Sequence, residues 1–201
     1  MLNIAVLVSG RGSNLQAIID AVEAGWLKVR IACVISDNQE AYALKRALKH
    51  NIPNIFITPN IFFSKSEYEK KIIEYLREKE VGLIILAGYM QIVGSTLLSA
   101  YPNKIINIHP SLLPSFPGLH GQKQALDYGA KVSGATVHFV DKGCDTGPII
   151  LQVGVKILDN DTEESLSKRI LVEEHKILPK AIFLFAEERL TISGRKVHII
   201  D

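Results

Sequence analysis

The chain has little cysteine, little net charge and no long apolar run, and each shortage closes off a class of protein. Its two cysteines, Cys33 and Cys144, stand far apart, one in an apolar run and one in a glycine-rich stretch. That spacing matches neither a disulfide framework nor a zinc knuckle, and it fits reduced thiols in a cytoplasmic protein. A formal net charge of +2 supplies no strong field, so neither nucleic acid nor a membrane surface is expected as a partner. The opening L-N-I-A-V-L-V-S-G is too short for the apolar core of a secretory leader, and no segment reaches membrane-spanning length. Internal repeats and low-complexity tracts are also missing.

What remains is an ordinary soluble composition, 47% hydrophobic and 22% charged. A length of 201 residues fits one domain spanning 1–201, with roughly 70% of the unfolded chain's surface removed on folding. Strand-like and helix-like patterns alternate. The run 3–8 is apolar and rich in β-branched residues, as in a buried parallel strand, and S-G-R-G-S-N follows it as a turn. Leu15, Ile18, Ile19 and Val22 then recur at helical spacing. Strands over 29–35, 54–57, 82–87 and 105–108 and helices over 41–50 and 65–80 continue the alternation. A short helix over 122–129, strands over 132–140 and from 148 to about 155, a long amphipathic helix over 162–187 and a hairpin around Ser193-Gly194 complete it. The expected fold is α/β: an open, mostly parallel, twisted sheet with helices on both faces, a long C-terminal helix and an antiparallel tail.

Three stretches carry chemistry. Gly10, Gly12, Ser13 and Asn14 lie where a helix begins, and free N–H groups and the helix dipole there favour an anion. The Walker pattern is absent, and Leu15 occupies the third glycine's place of the dinucleotide pattern, so a phosphomonoester fits better. A tight βα turn that needs glycine for its backbone angles is the plainer reading, and Asp37 at the end of the second strand keeps a dinucleotide site in play. The second stretch is I-I-N-I-H-P-S-L-L-P-S-F-P-G-L-H-G at 105–121. Asn107 and His109 are two apart on a strand and so share a face, and Pro110, Pro114 and Pro117 stiffen the loop that follows. An amide can donate to an oxyanion and an imidazole can move a proton near neutrality, a pairing suited to acyl chemistry. The third is D-K-G-C-D-T-G-P-I-I, whose Asp145 is expected to fold over toward His109 and raise its pKa. Alternation marks Thr136 and His138 as the half-exposed side of their strand, with His138 a rim residue. Lys65, Glu67, Glu69, Lys70 and Lys71 read most simply as a solvated helix face, with Lys65 near its start able to reach a ligand carboxylate. Glu173, Glu174 and His175 read as surface charge by default, with an acid there able to bind sugar hydroxyls if the helix borders the site. His109, His120 and His138 match no short zinc-ligand spacing, so no metal is expected. Cys144 with His109 and Asp145 is a nucleophile arrangement that spacing alone leaves open, although the thiol lies beside an acid rather than at a helix start.

These stretches, with L-A-G-Y-M, G-A-T-V-H-F-V and D-T-G-P-I-I, resemble the phosphoribosylglycinamide formyltransferase family across nearly the whole chain. The resemblance implies a Rossmann-like formyltransferase fold, with a phosphate-binding half over about 1–100 and a folate and catalytic half over about 101–201. It implies formyl transfer from 10-formyltetrahydrofolate to a ribonucleotide amine in purine biosynthesis, by a monomer or homodimer. Asn107, His109 and Asp145 would be catalytic, through direct attack of the amine on the formyl carbon, with protonated His109 and Asn107 on the oxygen. Gly12, Ser13, Asn14, Met90, Pro110 and Glu174 would hold the ribonucleotide. Lys65, Met90, Gln91, Ile92, Val93, Asn107, Val140 and Asp145 would hold the folate. Bacterial members commonly carry arginine at the positions of Lys65 and Gln91, so this chain lacks two bidentate guanidinium groups there. Methionyl-tRNA formyltransferase and formyltetrahydrofolate deformylase share a similar core, but each adds a domain and neither calls for the G-R-G-S-N loop. A formyltetrahydrofolate hydrolase and a nucleotide-binding protein without enzyme activity are the alternative functions.

Overall fold

The computed structural model describes residues 1–200 and divides into two compact units, one ending at Ile106 and the other starting at Asn107. In the first, β1 (Leu2–Val8), β2 (Val29–Ser36), β3 (Asn54–Phe56) and β4 (Leu83–Leu86) pair in the order β3-β2-β1-β4, every pair parallel. Parallel neighbours need crossovers, supplied by α1 (Ser13–Glu23), α2 (Tyr42–Lys49) and α3 (Lys65–Glu78). Ile4 to Val8 are wholly buried, as a central parallel strand covered on both faces must be.

A short helix, α4 (Ser95–Ala100), was invisible in the sequence because six residues carry too little periodicity. It is stabilised from outside itself: the Glu69 carboxylate on α3 accepts the Gly94 N–H and, at 3.1 Å, the Leu97 N–H. An acid at a helix start satisfies orphan donors and meets the positive end of the dipole. Glu69 is therefore buried, unlike the solvated residue its helix face suggested. Lys65, Glu67, Lys70 and Lys71 are exposed as expected.

In the second unit, β5 (Ile105–His109, entering at Asn107), β6 (Val132–Phe139), β7 (Ile149–Lys156), β9 (Lys196–Ile199) and β8 (Leu190–Ser193) follow one another in that order. β6 and β7 are antiparallel, β7 and β9 parallel, and β8 and β9 form the expected hairpin. The helices are α5 (Gly121–Tyr128) and α6 (Glu163–Ala186). A capping box opens α6, in which Ser165 N–H bonds Thr162 Oγ1 at 3.2 Å and Thr162 N–H bonds Ser165 Oγ at 3.0 Å. Leu166, Ile170, Leu178, Ala181 and Ile182 form its buried side.

β6 is not half-exposed. Thr136 and His138 are as buried as Ala135, Val137 and Phe139, because the loop after β5 lies over that face. Thr136 Oγ1 donates to Ser111 O at 2.7 Å and accepts Leu113 N–H at 3.1 Å, while Gln152 Nε2 donates to Leu113 O at 2.8 Å. The buried Thr136 hydroxyl is thus hydrogen-bonded twice to the covering loop.

Candidate active site

Strand β5 delivers Asn107 and His109 on one face, and the proline loop closes back upon them. His109 is 4% exposed, and its Nε2 lies 2.9 Å from Phe116 O. A carbonyl only accepts, so Nε2 carries hydrogen and Nδ1 is the nitrogen that gains or loses a proton. Nδ1 stands 3.3 Å from Asp145 Oδ2.

Asp145 reaches this place because Gly147 packs against the end of β6: a Cβ at Gly147 would lie 1.8 Å from Phe139 O. No larger residue allows that approach, and it turns the 141–147 loop inward. Asp145 itself has φ +55, a left-handed conformation for which Asp and Asn are enriched. Its Oδ2 accepts the Gly118 N–H at 2.8 Å. Burial pushes the carboxyl up, but His138, the Gly118 N–H and the neighbouring imidazoles together outweigh it and hold the group at about 2. For His109 the balance runs the other way. Burial pushes the imidazole below its ordinary value and outweighs the Phe116 carbonyl and the Asp145 charge. The expected rise in the His109 pKa is thus corrected: the carboxylate is present, but desolvation of a nearly closed ring is larger. At neutral pH two acceptors, Nδ1 and Oδ2, face each other across a position that is poised to take a proton.

His138 is the residue sequence reasoning missed. Far from a rim position, it is 1% exposed; its Nδ1 is 2.8 Å from Phe139 O and its Nε2 is 3.1 Å from Asn107 Nδ2. The Phe139 carbonyl fixes a hydrogen on Nδ1, and the Asn107 amide lies against Nε2, a contact that sets which way Asn107 points. The other amide hydrogen faces Asp145 Oδ1 at 3.4 Å, a long bond that an incoming oxyanion can replace. Cys144 is exposed, with Sγ 3.7 Å from Asp145 Oδ2, and burial and that acid push its thiol up. A raised thiol pKa is the reverse of an activated nucleophile. Cys33 is buried, and desolvation takes it to about 12. His120 is exposed and pairs with Glu163 at 3.7 Å. Among the described residues no group of three or more His, Cys, Asp or Glu is arranged to hold a metal. Pro110 and Val140 are half-buried, and Glu174 is buried within α6 rather than on the surface.

In the first unit the glycine turn lies at the start of α1 as the spacing predicts, with Gly12 at φ +69. Gln16 N–H makes the first helical bond, to Gly12 O at 3.0 Å, leaving the earlier N–H groups at the helix mouth. The segment 88–94 is tied at almost every residue. Ser9 N–H bonds Gly88 O at 3.0 Å, Tyr89 and Tyr68 share a 2.5 Å hydroxyl contact, and Met90 N–H bonds Ser9 Oγ at 2.8 Å. Gln91 Nε2 donates to Asp37 Oδ2 at 2.8 Å, and Glu69 holds Gly94. These ties leave Met90 58% and Ile92 68% exposed, a fixed apolar surface, whereas Val93 is buried. Exposed Lys65 lies beside the segment, its Cε 2.9 Å from where a Cβ on Gly94 would stand.

The chain is similar to known proteins over most of its length. A Bacillus subtilis phosphoribosylglycinamide formyltransferase is 46% identical over 182 residues, 90% of this chain and 93% of its own. The trifunctional purine biosynthetic protein adenosine-3 of Drosophila pseudoobscura pseudoobscura is 46% identical over 189 residues, 93% of this chain, which spans only 14% of that protein's length. The crystal structure of glycinamide ribonucleotide transformylase 1 from Symbiobacterium toebii superposes with a TM-score of 0.99 at 51% identity, covering 100% of this chain and 95% of that one. The family profile described as formyl transferase matches residues 2–182, and the chain belongs to that family.

Proposed function

We propose that this chain transfers the formyl group of 10-formyltetrahydrofolate to the amine of phosphoribosylglycinamide, a step of purine biosynthesis, in the cytoplasm. The observation that carries the reading is the facing pair of acceptors, His109 Nδ1 and Asp145 Oδ2, 3.3 Å apart beside the Asn107 amide. When an amine attacks a formyl carbon, the nitrogen must lose a proton and the carbonyl oxygen gains charge. The facing acceptors receive that proton, directly or through one water, while Asn107 exchanges its long Asp145 bond for one to the oxygen. As the tetrahedral intermediate collapses, the bond from the formyl carbon to N10 of the folate breaks and the held proton passes to N10. His109 acts as a proton acceptor from its neutral form, because burial favours that form.

The remaining roles follow chemistry. Gly12, Ser13 and Asn14, at the mouth of α1, bind the ribonucleotide phosphate through backbone N–H groups. Pro110 and Glu174 are assigned to its sugar and glycinamide portion. Met90 and Ile92 supply apolar contact for a flat pterin ring, which the fixed, exposed surface at 88–94 fits, with Gln91 and Val93 of the same segment supporting it. Val140 is assigned to the folate as well. Lys65 pairs with a carboxylate of the glutamate tail as a point charge. The test is the purified chain with both substrates and with each omitted in turn. Formyl transfer that requires the amine acceptor supports the reading. Formate release without the acceptor identifies a hydrolase instead.

A further inference from the structure

The glycine turn is held from behind by α2. Ala43 N–H bonds Gly10 O at 3.1 Å, and Arg46 Nε donates to Arg11 O at 2.9 Å. The guanidinium is itself fixed, since Nη1 donates to Gln16 Oε1 at 3.0 Å and Cζ lies 4.9 Å from the centre of the Tyr42 ring. In a trans peptide the carbonyl and the following N–H point in opposite directions. Turning the carbonyls of Gly10 and Arg11 toward α2 therefore turns the N–H groups of Arg11 and Gly12 away from it. Two successive N–H groups so aligned, one of them on a left-handed glycine, make an anion-binding concavity.

We propose that Arg46 is a positioning residue for the phosphate end of the ribonucleotide: by gripping the Arg11 carbonyl it aims the Gly12 N–H at the phosphate. The inference rests on the proposed function for the identity of the substrate, and on the turn's geometry alone for the grip. Arg46 does not touch the reacting atoms, so its loss weakens ribonucleotide binding and leaves the chemical step intact. Arg suits the role because its planar fork spans two acceptors at once, which a lysine ammonium on a flexible stem does not.

The experiment compares Arg46→Met, Arg46→Lys and Lys49→Met in the full chain. Lys49, exposed on the same helix, controls for the lost charge. Arg46→Met is expected to raise KM for the ribonucleotide about 10- to 100-fold, the range for one charged hydrogen bond. Both kcat and KM for the formyl donor stay unchanged, Arg46→Lys recovers only part of the loss, and Lys49→Met behaves as wild type. Calorimetric titration with ribose 5-phosphate gives a second readout that needs no turnover: binding weakens in Arg46→Met and not in Lys49→Met. Should Arg46→Met not fold, Arg46→Lys carries the test. An unchanged ribonucleotide KM, an equal effect in Lys49→Met, or kcat falling with both KM values overturns the proposal. A wild-type chain that binds ribose 5-phosphate in an Arg46-dependent way but transfers no formyl group keeps the grip and refutes the proposed function. One that binds no ribose 5-phosphate refutes the grip.

Discussion

Replacing Asp145 with Asn tests the active site more severely than any other single change, because it alters charge with almost no change in shape. The left-handed backbone at φ +55 accepts Asn as readily as Asp, and an amide oxygen can still receive the Gly118 N–H. What is lost is the negative charge between two buried imidazoles and, with an amide nitrogen in the place of Oδ1, the long bond from the Asn107 amide. The folded carboxyl titrates at about 2 against 3.8 for its reference, and its side chain is 13% exposed. At 1.36 kcal/mol per pH unit, that difference is worth about 2 kcal/mol of stability. A carboxyl depressed on folding stabilises above its unfolded pKa, and this contribution fades as pH falls from near 4 toward 2. Urea unfolding of Asp145→Asn at pH 7 should show a loss of about 2 kcal/mol, or about 4 to 8 °C in Tm for a chain of this size. Between pH 4 and pH 2 the variant and the wild type should converge. Catalysis should change more, with kcat falling about 10²- to 10⁴-fold as one partner of the proton-accepting pair disappears. Loss of the anion also removes a charge that raises the His109 pKa, so the acid limb of the rate profile moves to lower pH. Equal stability at both pH values, or an acid limb that moves upward, would refute the electrostatic account.

Other parts of the molecule give separate tests. A Cβ at Gly12 would lie 2.6 Å from Ala43 Cβ and sit on a left-handed backbone; Gly12→Ala should cost about 2 to 5 kcal/mol in chemical denaturation and raise the ribonucleotide KM. Glu69→Gln keeps one acceptor but sets an amide nitrogen against the second of the two N–H donors, and should cost about 1 to 3 kcal/mol. It should also raise KM for the formyl donor, through the loosened 88–94 segment, with the ribonucleotide KM unchanged. Thr162→Ala removes half of the α6 capping box and should lower stability by about 1 kcal/mol without altering turnover.

The sequence exposed those features that depend on neighbours along the chain. Ile4 to Val8 announce a doubly covered strand, the spacing of Asn107 and His109 puts them on one face, and glycine before Ser13-Asn14 marks a helix mouth. Features set by what lies across space were hidden. Glu69 reads as a solvated charge until α4 lies above it, and α4 is too short to announce itself. His138 alternates as though half-exposed because nothing in β6 shows that Asn107 and Asp145, from two other parts of the chain, pack against it. The acid beside His109 could be anticipated, but the ring's burial could not, and burial decides its protonation. Glu174 was misread for the same reason, since the helical pattern of α6 identifies a face but not how deeply a charge on it is sunk.

The contrast between the two cysteines makes the protein its own reporter. Cys33, sealed inside β2, will stay silent toward maleimides, while Cys144 lies exposed one residue from Asp145. A single fluorophore can therefore be attached beside the proton-accepting pair without engineering a cysteine-free background. Its emission would follow the 141–147 loop as each substrate arrives, and protection of the thiol by one substrate but not the other would give the order of binding directly.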